Sequence, residues 1–80
     1  MKIHRYLSLF DYLISHGAKT DGKYKINGLT AWHDLDGYTC FIGYKDLMMT
    51  LYFHNKFSIE YEDSKTLKHF EQIVEQHSQN

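Results

Sequence analysis

Tyr38-Thr39-Cys40-Phe41-Ile42, Leu47-Met48-Met49-Thr50-Leu51-Tyr52-Phe53 and Phe57-Ser58-Ile59-Glu60-Tyr61 follow one another with brief polar breaks. Runs so rich in aromatic, β-branched and thioether side chains read as consecutive antiparallel strands. Side chains alternate across a strand, so loop length decides which residues share a face. With Tyr44-Lys45 at the first tip, Ile42 lies opposite Leu47, Cys40 opposite Met49 and Tyr38 opposite Leu51. A three-residue loop, His54-Asn55-Lys56, then pairs Phe53 with Phe57 and Leu51 with Ile59. A two-residue loop at Asn55-Lys56 would mix the faces. One face therefore collects Tyr38, Cys40, Ile42, Leu47, Met49, Leu51, Phe53, Phe57, Ile59 and Tyr61. The other carries Thr39, Phe41, Met48, Thr50, Tyr52, Ser58 and Glu60, with too many large groups to be fully solvated.

Towards the amino terminus, Tyr24-Lys25-Ile26 and Leu29-Thr30-Ala31-Trp32 read as one strand broken at Asn27-Gly28. A bulge there shifts the alternation by one residue and carries Leu29 and Ala31 onto the core face. A loop at Asp34-Leu35-Asp36-Gly37 sets His33 against Tyr38, Trp32 against Thr39 and Ala31 against Cys40. Trp32 thereby joins Phe41, Met48 and Tyr52. Thr20-Asp21-Gly22 reads as a turn.

Helices flank the strands. Ile3, Tyr6, Leu7, Phe10, Leu13 and Ile14 recur at helical spacing, and Gly17 suits a left-handed cap. Leu67, Phe70, Ile73 and Val74 form a second stripe, with Asp63 or Ser64 as its amino-terminal cap. The expected fold is a two-layer α+β domain with element order αββββα and a four-stranded antiparallel meander. Expected spans are helix 2–16, strands 23–33, 37–43, 47–54 and 57–61, and helix 64–76. Both helices are expected to cover one face and leave the Trp32 face open; the alternative is one helix on each face, a three-layer domain with no open patch.

The chain has 80 residues, one cysteine and a formal net charge of −1. This length makes one domain, which buries only about two-thirds of its unfolded surface and so gains from association. A lone thiol suits a reducing compartment, and near-neutral charge disfavours non-specific binding to nucleic acid or acidic membrane. There is no long apolar run and no signal-peptide pattern, so a cytoplasmic protein is expected.

Candidate chemistry is sparse. His4, His16, His33, His54, His69 and His77 lack metal-ligand spacing. The group His33, Asp34 and Asp36 reads as a turn whose carboxylates bond their own backbone. Cys40 is expected in the core as an inert thiol, with His33 on the opposite face. His54 and Asn55 read as hairpin-tip residues. No phosphate loop or nucleophile elbow occurs, so no enzyme, cofactor or metal is expected.

Asn27-Gly28-Leu29-Thr30-Ala31, Asp36-Gly37-Tyr38-Thr39, Phe53-His54-Asn55 and Tyr61 together resemble a small bacterial family known only as a domain of unknown function. The resemblance covers most of the chain. It implies an uncharacterised single-domain protein and transfers no residue roles.

What remains is the open face, with Trp32, Phe41, Met48, Thr50 and Tyr52 as the expected interface residues. Aromatic residues and methionine are enriched at protein interfaces and charges are depleted. Self-association as a homodimer, or docking of a protein partner, is therefore expected. The alternative is a module that stacks single-stranded nucleic acid on the same rings. That alternative wants lysine and arginine, where the expected face offers Glu60.

Overall fold

The computed structural model describes residues 2–52 and 56–78. Helix α1 (Lys2–His16) leads into six strands, and helix α2 (Ser64–Ser78) follows them. The strands are β1 (Ala18–Thr20), β2 (Lys23–Ile26), β3 (Leu29–His33), β4 (Cys40–Tyr44), β5 (Leu47–Tyr52) and β6 (Lys56–Glu60). They form one antiparallel meander in the order β1-β2-β3-β4-β5-β6.

Six strands replace the expected four for a local reason. Asn27 (φ 50°) and Gly28 (φ 82°) are both left-handed, so the chain reverses there instead of bulging. β2 thus becomes a separate strand, paired with β3 through Tyr24 with Ala31 and Ile26 with Leu29. Asp21 (φ 53°) and Gly22 (φ 78°) make a second such turn and add the exposed edge strand β1. Tyr38 and Thr39, expected to begin a strand, belong instead to the connection before β4.

Three registers differ from expectation by two residues each, while the apolar residues of the strands keep their expected faces. Ala31 lies opposite Ile42 rather than Cys40. Ile42 lies opposite Met49 rather than Leu47, and Leu51 opposite Phe57 rather than Ile59. The β4–β5 turn is tighter than expected, with Tyr44 paired to Leu47 and Lys45 left-handed at φ 53°. A slip of two leaves side-chain direction unchanged, because direction repeats every second residue. The connection containing Phe53, His54 and Asn55 lies outside the described residues.

One face is the core. Ile42, Leu47, Met49 and Leu51 are buried with Leu29 and Ala31. From α1 come Ile3, Tyr6, Leu9, Phe10 and Leu13, and from α2 come Phe70 and Val74. Leu9 is an addition to the expected stripe, whereas Leu7 and Ile14 pack at its margin. Phe70 lies against both Tyr6 of α1 and Tyr44 of β4, so the two helices share this face. Tyr38, expected in the core, is 66 % exposed, and Phe57 and Tyr61 are only partly covered, at 39 % and 44 % exposed.

Two local devices hold the helices to the sheet. Gly17 does not adopt the left-handed cap; the need for glycine is close approach, since a Cβ would lie 2.6 Å from the Leu13 oxygen and 3.1 Å from the Lys25 nitrogen. At the other end, Asp63 caps α2 by accepting the Lys65 N–H at 2.9 Å. Asp46, in the β4–β5 turn, accepts the N–H groups of Glu62 and Asp63 at 2.8 and 2.9 Å and the Thr66 hydroxyl at 2.6 Å.

Candidate functional site

Successive pairings lay the residues of the second face in rows across the strands. One row runs Lys25, Thr30, Gly43, Met48 and Glu60 from β2 to β6. The next runs Trp32, Phe41, Thr50 and Ser58, with Lys23 of β2 beside Trp32. Tyr52 and Lys56 form a third pair at one end. The two helices lie on the opposite side.

Of the expected interface residues, Tyr52 is 47 % and Met48 37 % exposed, while Trp32 and Phe41 are half-buried. Thr50 shares their face but is only 6 % exposed, recessed among larger neighbours. The Trp32 and Phe41 rings stack with centroids 5.2 Å apart and planes 17° apart. The Lys23 ammonium stands 4.6 Å from the centre of the Trp32 ring. Since β2 and β4 flank β3, the indole is held between a cation on one side and a phenyl ring on the other. Gly43 leaves room for it: a Cβ there would sit 3.4 Å from Cζ3 of Trp32.

The charge on this face also differs from expectation. Once β2 is a strand of its own, Lys23 and Lys25 project onto it and Lys56 joins from β6, against the single carboxylate of Glu60. Treating residues 23–33 as one strand hid both β2 lysines.

The remaining candidates resolve locally. Asp34 accepts N–H bonds from Gly37 at 2.8 Å and Thr39 at 3.4 Å, closing its own loop. His33 lies opposite Cys40, on the same side of the sheet and not the other one, and its Nδ1 lies 3.1 Å from the Asp34 carbonyl oxygen. Burial pushes the Cys40 thiol up, and the charges of Asp34 and Asp11 add to that. A thiol so placed stays protonated, the reverse of what a nucleophile needs. Among the described residues no three of His, Cys, Asp or Glu converge in a way that would hold a metal ion. No helix among them is long and apolar enough to cross a membrane.

A second feature has no counterpart in the sequence pattern. A cleft of about 900 Å³ opens between α1, the end of α2 and the β2–β3 turn. Leu9, Ile26, Leu29 and Ile73 form its apolar lining, and His4, Arg5 and His77 border it. Ser8 Oγ and His77 Nε2 are hydrogen-bonded at 3.2 Å across the two helices. Ser8 and His77 lie 69 positions apart, and no spacing rule links them.

No curated protein and no solved structure matches the chain. The family model described as a protein of unknown function, DUF3081, matches residues 1–80, and the chain belongs to that uncharacterised single-domain family.

Proposed function

We propose that this protein works by protein–protein contact, associating with a second copy of itself through the open face of the sheet. The observation that carries this reading is the side-by-side grouping of Trp32, Phe41, Met48 and Tyr52 on the face turned away from both helices. Charge adds to it. Lys25 and Glu60 are the charged residues of the same row, with Gly43 of β4 midway between them. A two-fold axis along β4 sets Lys25 of each copy over Glu60 of the other, Trp32 over the recess at Thr50, and Phe41 over its own mate. Such self-complementarity is what an isologous interface requires.

Size sets the strength. With the axis along β4, the five strands β2 to β6, ~4.8 Å apart and about five residues long, overlap in a face of roughly 400 Å² per copy. That is at the low end for a specific interface, so a reversible dimer is expected. The four large side chains are already half-buried or more, so each contributes roughly half or less of the ~1.5–3 kcal/mol of full burial, before the cost of association is subtracted. The reading is of a non-enzymatic protein, and the unpaired Cys40 suits the reducing cytoplasm. Sedimentation tests it: average mass should rise with concentration, and Tyr52→Glu or Trp32→Glu should remain monomeric. A monomer at every concentration overturns it.

Lys23, Lys25 and Lys56 favour a second reading, single-stranded nucleic acid on the same face. Against it, both sides of the Trp32 ring are already occupied, by Lys23 and Phe41, where a stacking platform needs a free ring face. Salt-sensitive quenching of Trp32 fluorescence by oligonucleotides would favour this second reading over the first.

A further inference from the structure

The cleft between the helices is independent of the sheet face and calls for its own account. We infer that it is a binding site for a small organic anion, a carboxylate or phosphate joined to an apolar body. Its volume, about 900 Å³, lies within the range of small-molecule sites, and its composition is the usual one of apolar walls with a few polar groups. Leu9, Ile26, Leu29 and Ile73 offer the apolar body a surface to cover. Arg5, His4 and His77 supply donors at the border, and none of the described lining residues is a carboxylate.

The donors come from two elements and meet at one place. Ser8 and His77 are joined at 3.2 Å, and the Tyr12 ring lies 5.0 Å from that of His77, so the imidazole is held from two sides. Arg5 sits one turn before Ser8 on α1 and presents a fork that matches two oxygens of a carboxylate or phosphate. Glu71 and Glu75 border Arg5 in a smaller depression on its other side, so a ligand anion competes with them for the guanidinium. The Ser8–His77 pair is unsuited to acyl transfer, because Ser8 lies inside a helix whose N–H groups are already bonded and cannot form an oxyanion hole. Binding, not turnover, is the function that the cleft supports.

Titration of the full chain with 1-naphthoate and with 1-naphthyl phosphate, followed by amide chemical shifts, tests the inference. At least one should saturate, with shifts centred on residues 4–12 and 73–77, and the stronger arm identifies the acid group. Neutral 1-naphthalenemethanol should bind about tenfold more weakly or not at all. Arg5→Gln and His77→Gln should each weaken the anion about tenfold, and Arg5→Lys should recover part of the loss. Circular dichroism melts identify any variant that has lost its fold. Four outcomes overturn the site: no saturation in either arm, equal binding of the neutral compound, wild-type affinity in both folded Gln variants, or loss of binding in Tyr52→Glu, which would move the probe to the sheet face.

Discussion

At the scale of single residues, Asp46 shows what a turn position does beyond turning. Bonds from the Thr66 hydroxyl and from the Asp63 and Glu62 N–H groups hold its carboxyl down to about 2, against an ordinary value of 3.8. The folded state therefore favours the ionised form. Its contribution is present in full above about pH 4 and is lost as pH falls towards 2. Asp46 is solvent-exposed, so screening keeps the effect modest. Asp46→Asn should lower the urea midpoint at pH 7, and the gap to wild type should close between pH 4 and pH 2. A gap that stays constant through that window would show that the carboxylate charge does not tie this turn to α2. None of this was legible in the sequence, because Asp46 and Thr66 are 20 positions apart. The α2 cap was legible to within one residue, as Asp63 or Ser64, since capping acts within one turn of chain.

At the scale of elements, the faces of the strands were legible and their registers were not. A face depends only on odd or even position, which the apolar pattern of Ile42, Leu47, Met49 and Leu51 displays directly. A register depends on turn conformation, and nothing in Tyr44-Lys45-Asp46 marks Lys45 as left-handed. Asn27-Gly28 did carry its signal, as the dipeptide that best suits a tight hairpin. A bulge and a reversal both carry Leu29 and Ala31 to the core face, so side-chain pattern alone did not separate them. The two such turns should differ in energetic weight. Gly28 joins β2 to β3, whose Leu29 and Ala31 are core residues, while Gly22 holds only the exposed strand β1. A residue with a Cβ costs roughly 1–2 kcal/mol in the left-handed conformation. Gly28→Ala should lose about that much in chemical denaturation, and Gly22→Ala clearly less, because β1 can fray without uncovering the core. Equal losses would mean that β1 is as firmly held as β2.

At the scale of the whole molecule, an 80-residue chain that leaves four large side chains on an open sheet has stability to gain from pairing. Any state that pairs folded copies draws the folding equilibrium with it, so stability should follow concentration. The row from Lys25 to Glu60 makes the two-fold arrangement testable without touching the apolar centre. In a homodimer of Lys25→Glu, two glutamates face each other at both ends of the row, and association should weaken. Glu60→Lys should weaken it likewise through paired lysines. In a mixture of the two variants, the introduced glutamate of one copy meets the introduced lysine of the other at one end of the row. Native Lys25 still meets native Glu60 at the opposite end, so attraction returns at both. Sedimentation of each variant alone should therefore show mostly monomer, and the equimolar mixture should show a heterodimer whose affinity falls with added salt. An arrangement with any other axis does not bring these two residues together, and the mixture would then associate no better than its components.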